Sequence, residues 1–143
     1  MKKTRGFTLV ELMAVIAILA IILTLVVPKV FKSIEESRKR ACDIQMQYIV
    51  DAASTYFTKY RYNDTNDGIT YDEAAKSSGG VDITLAMLNS ASLLKGTIKN
   101  PVTEKELRPE DTKINIKNVD NKFTYTIYEY NHSDSSWKEL ICE

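Results

Sequence analysis

From Phe7 to Val27 the chain holds 21 residues with a single charge, Glu11. No other feature constrains the fold as strongly. As a helix this run is about 32 Å long, close to the hydrocarbon thickness of a bilayer. Lys2, Lys3 and Arg5 precede it with no acid among the first six residues. That bias keeps the N-terminus in the cytoplasm and sends the rest outside. Glu11 is the anomaly. An acid costs about 2.5–3.5 kcal/mol at the centre of a membrane helix and less near its end, and an ionisable group there marks function by default.

Three readings of this segment compete. A secretory signal peptide needs small residues of A-x-A type after the apolar core. Here the core runs into Leu25-Val26-Val27-Pro28-Lys29 instead. A plain N-terminal anchor leaves Glu11 unexplained. The third reading is a leader cut off before the apolar run. A cut between Gly6 and Phe7 would give Phe7 a new α-amine, positive near neutral pH. Glu11, one helical turn away, could pair with that amine in its own chain or in a staggered neighbour. A buried charge pair is weak evidence of stability but a good register device.

The stretch Gly6-Phe7-Thr8-Leu9-Val10-Glu11-Leu12 after a short basic leader resembles the class III signal sequence of type IV pilins and type II secretion pseudopilins. Pro28 fits the same family, which often has a kinking proline at this distance. The resemblance implies cleavage after Gly6 by a prepilin peptidase, N-methylation of Phe7 by the same peptidase/methyltransferase, and a register role for Glu11. It also implies a homopolymer built through the N-terminal helices. The resemblance also implies a separate assembly ATPase and a membrane platform protein, since extraction costs energy and the chain shows no phosphate-binding loop. Gly at the cut suits a protease that needs an unhindered backbone.

Beyond Pro28, which should kink or locally melt the helix, helical periodicity resumes. Ala41, Ile44, Tyr48, Ala52 and Tyr56, flanked by Ile49, Ala53, Phe57 and Tyr60, predict a wide apolar face suited to covering a sheet. Lys29, Lys32, Arg38, Lys39 and Arg40 alternate with Glu35, Glu36 and Asp43, which reads as a solvated stretch touching lipid headgroups rather than a charge ladder between subunits. Asn63 to Gly68 breaks the helix. It is not a calcium loop, since with Gly68 at position six the twelfth position is Ala74 and the bidentate acid is missing. Asp82 to Leu94 reads as a short helix stopped by Gly96. Three strands are expected, at Lys113–Val119, Phe123–Tyr130 and Ser136–Cys142, joined by short turns.

These elements predict an α+β fold, a long N-terminal helix packed on a small antiparallel sheet. The expected divisions are a cytoplasmic leader at 1–6, a transmembrane and assembly helix at 7–28, its amphipathic continuation at 29–62, and a globular head at 63–143. The first half of the helix would protrude from that head.

The 19 basic and 19 acidic residues balance, which excludes a generic nucleic-acid binder. One histidine, His132, leaves no His-based catalytic or zinc site, and no cofactor or metal is expected. The many tyrosines read as core and rim packing rather than an adhesive surface. Asn63-Asp64-Thr65 and Asn131-His132-Ser133 match the glycosylation triplet, a pattern common by chance.

Cys42 and Cys142 would both lie in an oxidising compartment. They could close a loop of about 100 residues or remain two free thiols, and both readings stay open. The pilin family often has a disulfide near its C-terminal end with both cysteines in the head, and Cys42 falls early for that. The function expected is a non-enzymatic filament subunit serving surface attachment and motility. It would wait in the cytoplasmic membrane, held by membrane lipid, and pass to a cell-surface pilus. A competence pilin or a type II secretion pseudopilin is the alternative. A membrane-anchored extracytoplasmic binding protein that never polymerises is the alternative of another class.

Overall fold

The computed structural model describes residues 8–63, 68–100 and 103–142. In chain order its elements are α1 (Leu9–Tyr60), α2 (Tyr71–Lys76), β1 (Val81–Thr84), α3 (Leu85–Ser90), β2 (Thr112–Val119), β3 (Lys122–Asn131) and β4 (Ser136–Glu139). The chain divides into two units, residues 1–38 and 39–143.

In the first unit every described residue is exposed helix or helix start. The helical assignment continues through Pro28. Proline lacks an N–H, so the Thr24 carbonyl loses its i+4 donor there. One turn earlier the Thr24 hydroxyl donates to the Ile21 carbonyl at 2.7 Å, a local bond of the kind that bends helices.

In the second unit α1 contributes Ile49, Ala52, Ala53 and Phe57 to the core. This face is narrower than the periodicity suggested. Ile44 and Tyr48 are exposed, because the 100° step per residue carries them to the far flank of the helix. Phe57 meets Phe123 edge-on at 5.0 Å between ring centroids, which ties the helix to β3. Burying a side chain of this size contributes about 1.5–3 kcal/mol.

The sheet is an antiparallel meander in the order β1-β2-β3-β4. Its inner face carries Val81, Ile83, Ile114, Ile116 and Ile127, all buried. The β2–β3 connection is a two-residue turn, Asp120-Asn121, with φ of 51° and 64°. Positive φ at both positions gives the turn the twist a tight hairpin needs. The α+β fold, with a long helix packed on a small antiparallel sheet, is therefore what the chain adopts.

Two local expectations need correction. The stretch from Asp82 is not helical at its start: Val81 to Thr84 is a fourth strand, pairing Val81 with Ile116 and Ile83 with Ile114. Its alternating burial follows from β-branched residues spaced by two. The helix begins only at Leu85, where the Thr84 hydroxyl accepts from the Met87 amide at 3.3 Å as an N-cap. Tyr71–Lys76, which lies between the helix break and the next expected element, forms α2. A complete capping box starts it: the Thr70 hydroxyl accepts from the Glu73 amide at 3.2 Å, and the Glu73 carboxylate accepts from the Thr70 amide at 3.0 Å.

Candidate functional site

Two groups of residues expected to carry function can be placed: the start of α1 and the cysteine pair. Gly6 and Phe7 lie outside the described residues. Thr8 is the first described residue, and it caps α1. The Glu11 carboxylate accepts from the Thr8 amide at 3.1 Å and from its hydroxyl at 3.0 Å, while the Glu11 amide donates back to that hydroxyl at 3.3 Å. Thr8 and Glu11 thus form a second capping box, and the acid sits in the first turn, where the helix dipole favours negative charge. Sequence reasoning assigned Glu11 a partner but overlooked Thr8. Its signal was the spacing Thr-x-x-Glu ahead of an apolar run.

Along the next turns Leu12, Ile16, Leu19, Leu23 and Val26 are exposed on one flank, and residues between them are no better covered. Among the described residues, α1 is the one helix long and apolar enough to cross a membrane. Such a surface is stable only when lipid or other apolar helices cover it.

The second place is the disulfide. Cys42 and Cys142 are bonded, with Cα atoms 5.8 Å apart. Cys42 is fully buried on α1. Its sulfur lies 4.0 Å from Asn100 Oδ1, a contact and not a hydrogen bond, since a disulfide sulfur carries no proton. Asn100 organises the loop beside it, accepting from the Thr103 amide at 3.2 Å through its side chain and from the Glu104 amide at 2.7 Å through its carbonyl. The Leu140 amide donates to the Ile127 carbonyl at 2.9 Å, so the last residues stay on the sheet before reaching the bond.

Two charged clusters elsewhere in the second unit join its own elements. Asp72 bonds the Arg61 guanidinium and takes Lys76 Nζ at 2.6 Å. Lys76 and Arg61 together hold its carboxyl below the usual range. Arg61 also lies near the rings of Phe57, Tyr62 and Phe123, at 5.0–6.0 Å from their centroids. A groove of about 530 Å³ runs past Arg108, Asp111, His132 and Lys138. There His132 Nε2 sits 2.8 Å from Asp111, and this bond is the main reason the Asp111 carboxyl titrates low. Acids and bases alternate along that groove and largely cancel. Among the described residues no three His, Cys, Asp or Glu side chains are placed to hold a metal ion.

This geometry has a counterpart among known families. Residues 1–27 match the family described as the prokaryotic N-terminal methylation motif. That motif is the class III signal sequence of type IV pilins and pseudopilins, so the resemblance carried by Gly6 to Leu12 is shown. It supports a type IV pilin-like or pseudopilin protein, and it is a structural motif, not an enzyme family. Together with the apolar helix it fits membrane anchoring. Neither the curated proteins nor the solved structures contain a match to the chain.

Proposed function

We propose that the chain is a structural subunit of a type IV pilus-like filament, cut after Gly6 and N-methylated at Phe7. The observation that carries this reading is the methylation motif at residues 1–27, continued by an apolar helix whose large side chains are exposed among the described residues. In this reading residues 1–6 are the leader, 7–28 the membrane and assembly helix, 29–62 its amphipathic continuation and 63–143 the head. The subunit waits in the cytoplasmic membrane until an assembly ATPase and a platform protein extract it. Apolar packing of the helices then holds the fibre, Pro28 lets the helix bend, and Glu11 meets the Phe7 amine of a neighbour. Attachment and motility are the service proposed for the fibre.

The decisive measurement is intact mass with N-terminal sequencing of the protein taken from its native membrane or surface. A chain that begins at Phe7 and is heavier by one methyl group is expected. In that case Glu11→Ala is expected to abolish filaments while the subunit still accumulates in the membrane. A chain that still begins at Met1 overturns the proposal and leaves an anchored protein that does not polymerise.

A further inference from the structure

The outer face of the sheet holds a recess that filament assembly does not explain. It measures about 230 Å³, and Asp82, Lys113, Asn115, Lys117, Tyr128 and Trp137 line it. Strand register brings them together. Asp82 stands opposite Asn115, Lys113 opposite Tyr128, and Tyr130 opposite Trp137, so all of these leave the face opposite to buried Ile83, Ile114 and Ile116.

We propose that this recess binds an acidic saccharide, with the sugar carboxylate on the Lys117 ammonium and an apolar ring face against Trp137 and Tyr128.

The charges of the site favour an anion. The Asp82 carboxylate accepts from Lys113 Nζ at 2.7 Å and from Asn115 Nδ2 at 2.6 Å, which neutralises Lys113. Among the described residues Lys117 enters no ion pair, so the recess keeps one uncompensated cation. A positive recess of this kind attracts negative ligands and discriminates by sign.

Its walls favour a sugar over a bare anion or a greasy molecule. Trp137, the chain's sole tryptophan, is 40% exposed and presents its indole to the recess. It is held in place by the Tyr130 ring at 5.2 Å and by Lys113 Nζ, 4.5 Å from its own ring centroid. A small inorganic anion would leave this indole uncovered. An apolar ligand would strip water from Asp82, Lys113 and Lys117 without replacing the lost bonds. A saccharide supplies both an apolar ring face and hydroxyls for the polar rim.

The recess is also preformed. Gly80, at φ +73°, brings the chain so close to β2 that a Cβ there would lie 2.6 Å from the Ile116 carbonyl oxygen and from Lys117 Cγ. The neighbouring Gly79 carbonyl accepts from Asn115 Nδ2 at 3.0 Å. Both fix one wall before any ligand arrives, which lowers the ordering cost of binding. The proposal stands apart from the filament reading and survives its failure.

Trp137 makes the test direct, because tryptophan emission of the full chain in detergent micelles, excited beyond the tyrosine band, comes from this recess. The probes are digalacturonate, lactose as a neutral disaccharide, and sodium acetate as a bare carboxylate. Digalacturonate is expected to give a saturable change. Lactose, lacking the charge-assisted bond, should need about tenfold more ligand. Lys117→Gln should weaken digalacturonate by a similar factor, whereas Lys117→Arg keeps the charge and retains binding. Three results overturn the proposal: no saturable response to digalacturonate, an acetate response at the same concentrations, or a folded Lys117→Gln that titrates like the wild type.

Discussion

Cys42 and Cys142 are 100 positions apart in the chain and 5.8 Å apart at their Cα atoms. One lies buried on α1, the other just beyond β4. The four-residue strand β4 pairs with β3 only from Tyr128 to Asn131, so few ladder bonds hold it. The covalent link supplies what the short strand lacks.

Removal of that link should be costly. Cys42→Ser, Cys142→Ser and the double variant are each expected to lose about 2–5 kcal/mol, the usual range for a native bridge, and to lose it equally. Denaturant unfolding of the detergent-solubilised chain, with and without reductant, checks this. A reductant effect that persists in the double variant would contradict it.

Among the described residues Phe57 is the largest fully buried side chain, and it sits at the junction of α1 and β3. Phe57→Ala should cost about 3–5 kcal/mol through lost burial and the cavity left behind. Phe57→Leu should cost much less, since volume is nearly kept. Midpoints from the same unfolding experiment separate the two.

Asp72 predicts an acid dependence. Lys76 and Arg61 depress its folded pKa below the unfolded value of about 3.9. The unfolded chain therefore binds more protons in the window between the two values, and stability falls as pH drops through it. Asp72→Asn is expected to be destabilising at pH 7 and nearly silent near pH 2, as measured by unfolding midpoints at each pH. Equal losses at both pH values would show that the ion pairs contribute nothing.

Gly80 and Gly96 both adopt positive φ, 73° and 82°, but only Gly80 meets neighbouring atoms at the Cβ position. Gly96→Ala should carry the backbone penalty alone, about 1 kcal/mol. Gly80→Ala adds a clash with backbone and should cost clearly more, with loss of β1 from the sheet. Thermal midpoints and amide exchange at Ile83 report the difference.

Much of this was readable in the chain. The apolar run, the break after Tyr62, the Asp120-Asn121 hairpin and the aromatic strand that became β3 all carry strong local signals. The errors arose where local signals were short or shared. Val81 to Thr84 runs directly into Leu85-Ala86-Met87-Leu88, and a single apolar stretch hid the change from period two to period 3.6. Helix α2 has six residues, too few for periodicity, and only the pair Thr70 and Glu73 announced it. Thr8 and Glu11 carry the same spacing, but a lone charge in an apolar run is the stronger local signal and masks the cap. The recess was out of reach altogether. Asp82, Lys113, Tyr128 and Trp137 come from four strands, and only their register places them side by side.

The tight turn at Asp120-Asn121 has a practical corollary. Val119 to Lys122 are exposed, the turn contributes nothing to the core, and it lies apart from Cys142 in the sequence. Loop tips of this kind tolerate inserted residues. The segment around Cys142 offers no such freedom, because the bridge ties it to a buried site on α1. A reporter peptide or an engineered thiol for labelling belongs in the hairpin, where it leaves both the bridge and the apolar helix undisturbed.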